Sequence, residues 1–199
     1  VAHGSMPFLG DSAIRHMTAV LNEFETTLYP QLEQKVTSMP VVPDGAKQST
    51  LNINSVHGGL EEGFSGLPAP MVADSCRLVL DRRFLIEEEL IEVKSEVLAI
   101  LESLTKSREN FSYELRDLFE VIPSMTDRNA AVVQSVDHAI SQIFGRAPEY
   151  VVSPGTYDQK HIDRIGKLEN CIAYGPGILD LAHQANEYVG IADMVESAK

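Results

Sequence analysis

The chain has 199 residues and a mass of 21.9 kDa, with 44% hydrophobic and 23% charged residues, a balance that predicts one large globular domain or two small ones and excludes a disordered chain. Sixteen lysines and arginines stand against 29 aspartates and glutamates, a net charge of −13 and a pI of about 4.8, which argues against nucleic-acid or anionic-membrane partners. No apolar run approaches the roughly 18–20 residues of a membrane helix, and two cysteines, Cys76 and Cys171, are too few for a disulfide framework or a structural cysteine–zinc site, which suits a reducing, cytoplasmic compartment.

The chain opens Val1-Ala2-His3-Gly4-Ser5-Met6-Pro7, with no initiator Met and nothing like a signal peptide, and so reads as the interior of a longer protein. Ile14, Met17, Val20, Leu21, Phe24 and Leu28 recur at helical spacing, with Asp11 or Ser12 as N-cap and Pro30 as the expected end. Thr37 to Lys47 reads as a loop. Leu51 to Val56 is expected to be a strand with one buried face, and a second loop runs through Gly58-Gly59, Gly63, Gly66, Pro68 and Pro70. Cys76, Leu78 and Leu80 alternate as a second strand. Ile86, Leu90, Val93, Val97, Ile100, Leu101 and Leu104 mark the strongest helix. Phe111, Tyr113 and Leu115 alternate as another strand. With a first strand around Val1, the order becomes β-α-β-β-α-β, the ferredoxin-like α+β arrangement of an antiparallel sheet with two helices on one face.

Beyond about Pro123 the pattern changes to α/β. A helix from Val132 to Phe144 is closed by Gly145, and Tyr150-Val151-Val152 is a short strand leading into Ser153-Pro154-Gly155-Thr156. A helix to Ile165, a strand Cys171-Ile172-Ala173-Tyr174, a Gly-Pro-Gly loop and a last helix from Ile191 follow. The expected division is 1–125 and 126–199.

Taken singly, the chemical signals are weak. No Gly-rich phosphate loop, His-Glu-x-x-His or Gly-x-Ser-x-Gly occurs. His161-Ile162-Asp163 falls on a predicted helix, where i and i+2 point apart, so a solvated helix outweighs a metal site. Glu61-Glu62 lies in a loop. Glu87-Glu88-Glu89 opens a helix, where the macrodipole favours anions. Cys76 and Cys171 read as small buried hydrophobes on strands.

Four separated stretches sharpen the reading. Ala2-His3-Gly4-Ser5-x-Pro7-x-x-Gly10, Val72-Ala73-Asp74 through Asp81-Arg82-Arg83, Gly155-Thr156-Tyr157-Asp158, and Tyr174-Gly175-Pro176-Gly177 followed by Leu181-Ala182-His183-Gln184-Ala185-Asn186-Glu187-Tyr188 occur in that order. Together they resemble the dinuclear-zinc amidohydrolases, the family of acetylornithine deacetylase, succinyl-diaminopimelate desuccinylase, aminoacylase and carboxypeptidase G. The resemblance covers the lid (dimerisation) domain and the C-terminal part of the catalytic domain, and the family's lid has the ferredoxin-like order.

The resemblance implies roles. His183 matches the last zinc ligand, and His3 the lid histidine that steadies the oxyanion in the partner subunit's active site. Arg83 matches the lid arginine facing the substrate carboxylate, and Gly155 and Thr156 a substrate-contacting loop. The competing readings are an ion pair from Arg83 to an acidic neighbour, a helix-capping role for Thr156 and a disordered terminal His3. Pro70 stands where the family usually has Asn, Lys160 where it has Arg, and Ala185 where it often has Pro. The family's His-x-Asp, bridging Asp and Glu-Glu pair precede its lid and are not in this chain, so one ligand here cannot hold two metals. The implied parent is a homodimeric Zn2+ hydrolase (Co2+ or Mn2+ as alternatives) that cleaves the amide of a small N-acyl amino acid or diamino acid, with this chain inactive alone. A dipeptidase or carboxypeptidase of the same family is the runner-up. A non-catalytic dimerisation module and an unrelated ferredoxin-like binding domain are the readings of another class.

Overall fold

A computed structural model describes residues 2–60, 63, 65–67 and 70–199. Glu61-Glu62 and the proposed strand residue Val1 lie outside them. The chain divides into two compact units, Val1–Val36 with Gln48–Phe119, and Thr37–Lys47 with Glu120–Lys199.

In the first unit, α1 (Ala13–Glu23) is capped by Ser12, whose side chain accepts from the Arg15 amide. The helical path does not stop at Pro30. It passes through a π turn, Phe24–Leu28, into α2 (Tyr29–Glu33). The Tyr29 amide reaches back five residues to the Phe24 carbonyl. Pro30 then stands in the first turn of the new segment, where a missing N–H costs nothing. The π turn also explains an otherwise awkward spacing. Val20, Phe24, Leu28 and Leu32 are four apart, and four residues overshoot an α-helical turn by about 40°. A wider turn takes up that drift, and all four side chains are buried.

Strands β1 (Thr50–Gly58) and β2 (Cys76–Arg83) pair antiparallel. Register shifts between Ile53 and Ser55, a bulge where the consecutive polar residues Asn54 and Ser55 break the alternation. The shift returns Val56 to the row of Ile53, opposite Leu78. Helix α3 (Leu90–Ser107) buries Val93, Ile100, Leu101 and Leu104. The core is Val20, Phe24, Leu28, Leu32, Leu51, Ile100, Leu101, Leu104 and Phe111.

Among the described residues, two of the four expected lid strands form. Phe111-Tyr113-Leu115 joins no ladder: Phe111 is drawn into the core, and Leu115 is 48% exposed. At the start of the chain, among the described residues, His3 bridges Met71 and Val72 donates to the Ala2 carbonyl at 2.8 Å. What the fold shows is therefore a two-stranded antiparallel sheet with helices.

In the second unit, α4 (Ala131–Phe144) ends at Gly145 with φ of 67°, the left-handed cap that glycine adopts freely. Helices α5 (Gln159–Arg164) and α6 (Ile191–Ser197) follow. The strand expected at Tyr150–Val152 is a single parallel bridge, Val41 to Val152. The strand expected at Cys171–Tyr174 does not form. The Cys171 carbonyl instead accepts from Thr126 and Gln159, and a parallel strand needs a neighbouring ladder that the described residues do not supply. Both cysteines are half-buried free thiols. Among the described residues, no helix is long and apolar enough to cross a membrane.

Candidate functional site

His3 and Arg83 belong to the first unit, and Gly155, Thr156 and His183 to the second. His3 sits in an exposed turn closed by Met6 donating to its carbonyl. Its Nδ1 receives the Ser5 backbone N–H at 3.2 Å and lies 2.7 Å from Ser5 Oγ. A backbone amide only donates, so Nδ1 carries the lone pair and the ring proton is on Nε2. The turn thus fixes a histidine whose outward nitrogen is a donor.

Arg83 ends β2 and is exposed. Its guanidinium pairs with Asp81, NH2 to Oδ2 at 2.8 Å and Nε to Oδ2 at 3.1 Å. The two residues are i and i+2 on a strand and share a face.

Arg82, on the opposite face, is committed to structure. Its Nε meets Glu96 Oε2 at 2.9 Å and its NH2 meets Glu88 Oε1 at 2.7 Å. Lys35 completes the cluster, 2.9 Å from Glu88 Oε1 and in close contact with Glu96. Burial alone would raise the Glu88 carboxyl. Hydrogen bonds from Ser49, the Leu85 amide, Lys35 and Arg82 outweigh it and hold the pKa at about 2. Burial opposes the charge of Lys35 too, and its two glutamate partners leave it raised overall.

Gly155 donates its amide to Ser153 Oγ at 3.1 Å, and Ser153 Oγ lies 2.9 Å from the Tyr157 hydroxyl. An added Cβ at Gly155 would stand 3.3 Å from Ser153 Oγ and 3.6 Å from the Tyr157 ring, so the loop closes tightly around that glycine. Thr156 follows in the same turn. Lys160 reaches the Tyr157 carbonyl at 3.3 Å.

His183 has φ of 63°, a left-handed conformation uncommon for residues with a side chain. Its amide donates to Glu187 Oε2 at 3.1 Å, and Asn186 takes φ of 68° in the same turn. Such strained positions concentrate at functional turns.

The metal fit is incomplete. His183 offers one ligand, and among the described residues no group of three His, Cys, Asp or Glu side chains converges to hold an ion. The residues present do not make a two-zinc centre. A cavity of about 610 Å³ in the second unit is lined by Thr126, Asp127, Gln159, Asp163, Glu169 and Cys171 among others, and none of the five predicted site residues borders it. Sequence reading missed the bracing of Gly155 by Ser153 and Tyr157, although all three lie within five residues. It also missed the Lys35–Arg82–Glu88–Glu96 cluster, whose members are up to 61 residues apart.

The peptidase dimerisation domain family matches residues 1–109. An N-formyl-4-amino-5-aminomethyl-2-methylpyrimidine deformylase of Bacillus subtilis is 28% identical over 99% of this chain and 46% of its own length. An acetylornithine deacetylase of Myxococcus xanthus is 25% identical over 97% of this chain and 46% of its own, and a succinyl-diaminopimelate desuccinylase of Hydrogenovibrio crunogenus is 24% identical over 73% and 35%. The chain thus spans less than half the length of these relatives. An M20 family metallo-carboxypeptidase of Sulfolobus solfataricus has the same fold, with a TM-score of 0.64 at 16% identity over 98% of this chain and 52% of that one. With its first 109 residues matched, the chain belongs to the M20 peptidase dimerisation-domain family.

Proposed function

We propose that the chain is part of a longer hydrolase of the M20 family, residues 1–125 its lid and 126–199 the C-terminal part of its catalytic domain. In this reading the whole protein removes an acyl group from an N-acyl amino acid or diamino acid. The observation that carries it is the shared activity in the relatives' names: a deformylase, a deacetylase and a desuccinylase each remove an acyl group, and the first two align with nearly all of this chain.

The exposed surface supports the larger protein. The chain exposes 14128 Å². A compact protein of its mass exposes roughly 9,300 Å², and two independent units of this size roughly 11,000 Å². The surplus of roughly 3,000 Å² is the size of an obligate interface. Large apolar side chains are among what is exposed: in the second unit Ile165, Ile191, Tyr188 and Leu168 are each more than 60% exposed, and its buried hydrophobics among the described residues are Val41 and Val133.

Within that protein, His183 would be one ligand of a two-zinc centre whose remaining ligands lie outside this chain, and the metals would supply a water nucleophile and polarise the acyl carbonyl. The chain's other residues bind and orient. His3 donates from Nε2 to the developing oxyanion in the partner subunit of a homodimer. Arg83 leaves Asp81 for the substrate carboxylate, which its fork matches. Gly155 and Thr156 line the substrate's path. The complete lid sheet has the four-stranded ferredoxin-like order, and dimer contact falls on its helices and free edge. Its location is the cytoplasm, where Cys76 and Cys171 remain thiols. The 199-residue chain alone is inactive.

The test is an assay of the full-length gene product on N-formyl, N-acetyl and N-succinyl amino acids, reading free amine. Release that disappears on chelation and returns with zinc is expected. A folded, zinc-loaded protein that releases none of them overturns the reading in favour of a binding module.

A further inference from the structure

His16 lies in α1 with its side chain 15% exposed and its ring edge-on to Phe111, centroids 5.5 Å apart. Arg108, at the C-cap of α3, donates its Nε–H to His16 Nδ1 at 3.2 Å. A guanidinium has donors only, so Nδ1 must offer a lone pair and the ring proton must reside on Nε2. That nitrogen is 2.9 Å from Asp11 Oδ1, approaching off the ideal hydrogen-bond line. The contact with His16 is the main reason the Asp11 carboxyl lies below its ordinary range, and the Asn110 side chain adds a hydrogen bond to the same carboxylate. Asn110 itself is left-handed, with φ of 59°. Arg108 and Asn110 are thereby both turned back onto the start of α1.

We propose that Asp11, His16 and Arg108 form a proton-operated clasp between the start of α1 and the end of α3. It is closed while His16 is neutral and opens when Nδ1 takes a proton. The proton comes from solvent and occupies the lone pair that Arg108 uses. The Nε–H···Nδ1 bond breaks, and two cations are left about 3 Å apart, an arrangement that Coulomb repulsion disfavours. The charged groups facing the ring are Asp11 from the loop before α1 and Arg108 from the end of α3, with Asn110 and Phe111 as neutral neighbours. Asp11 attracts the imidazolium, so the α1 side holds and the α3 side lets go.

The His3 turn is fastened to the same corner. Ala13 donates to the Ala73 carbonyl at 2.9 Å, and Gly10 packs so closely on Ala2 that a Cβ would fall 2.6 Å from the Ala2 Cβ. The side of the clasp that holds is thus the side that supports the His3 turn, so the clasp stands apart from the role proposed for His3.

The experiment is an NMR titration of the 199-residue chain, labelled with 15N and 13C, from about pH 8 to about pH 5, the range in which histidine titrates. The His16 ring, the Arg108 Nε–H and the amides of residues 108–111 are followed together. The expected result is a slowly exchanging Arg108 Nε–H at high pH that is lost with the His16 midpoint. Exchange at residues 108–111 should rise about tenfold beyond the intrinsic pH effect. His16→Gln supplies a carboxamide oxygen to Arg108 that does not titrate, so the clasp should stay closed throughout. An Arg108 signal indifferent to His16, or the same pH response in His16→Gln, overturns the proposal. If His16→Gln does not fold, the coincidence of midpoints in the unsubstituted chain decides alone.

Discussion

The Lys35 ammonium lies 2.9 Å from Glu88 Oε1 across 53 residues of sequence, joining the end of the first helical run to the residue just before the N-cap of α3. Glu88 also accepts from Ser49, Arg82 and the Leu85 amide. One carboxylate thus gathers four donors from different parts of the first unit.

Its protonation should be visible in acid. The folded pKa, about 2, is below the ordinary 4.5, so the stability it confers is complete above about pH 4.5 and is lost as pH falls toward 2. Asp11, also lowered, acts in the same direction. Urea midpoints measured between pH 7 and pH 3 should fall, and Glu88→Gln should flatten that fall. An equal slope in the variant would show that Glu88 is not the group responsible.

Arg82→Ala should destabilise the first unit by about 3 kcal/mol, because it leaves Glu88 and Glu96 with only Lys35 between them. Arg82→Lys should recover little, since an ammonium lacks the two separate nitrogens, Nε and NH2, through which the planar guanidinium meets the carboxylates at three contacts. Chemical denaturation at neutral pH measures both. Full recovery by lysine would mean that charge alone matters.

Phe24→Ala should cost about 3–5 kcal/mol, the range for emptying a buried aromatic site. Phe24 is completely buried and opens the π turn. A loss under 1 kcal/mol in the same denaturation assay would show that the turn collapses to fill the space.

Cys76 should alkylate more slowly than a free thiol at pH 8. Burial raises its pKa and lowers the thiolate fraction. Mass spectrometry after timed iodoacetamide treatment, with peptides resolving Cys76 from Cys171, gives the rate. Reaction at the speed of a small-molecule thiol would contradict the burial.

In the full-length protein, Arg83→Ala should raise KM for acyl substrates bearing a carboxylate by about 1.5–3 kcal/mol equivalent, the worth of a hydrogen bond to a charged group. Asp81→Ala should lower KM, because it removes the partner that Arg83 must leave. Unchanged KM in both would place Arg83 outside the substrate site.

Much of the helical structure was legible from periodicity alone. Ser12 caps α1 and Gly145 closes α4, because each end has a local chemical requirement that short sequence satisfies. Pro30 misled for the same local reason: its effect depends on a π turn, and the four-residue spacing of Val20, Phe24, Leu28 and Leu32 calls for one only because all four are buried on one face. Strands were harder. Phe111 alternates like a strand residue, yet it is claimed by the helical core, and the Cys171 carbonyl by Thr126 and Gln159. For the site, the motifs place Arg83 at a strand end and His183 in a turn, while the Asp81 partner of Arg83 matches the competing ion-pair reading. The tautomer of His3 was beyond sequence, because it depends on where one backbone amide points.

The bulge in β1 sets how this strand tolerates changes in length. Pairing runs Ile53 with Leu80 and then Ser55 with Val79, so Asn54 has no opposite number. Deleting a single residue from a strand ordinarily reverses every side chain beyond it. Here, deletion of Asn54 leaves Ser55, Val56, His57 and Gly58 opposite the partners they already have. A one-residue insertion or deletion is therefore absorbed at this point of β1 and disruptive on either side of it, which makes Asn54 the natural place for the length of this hairpin to vary.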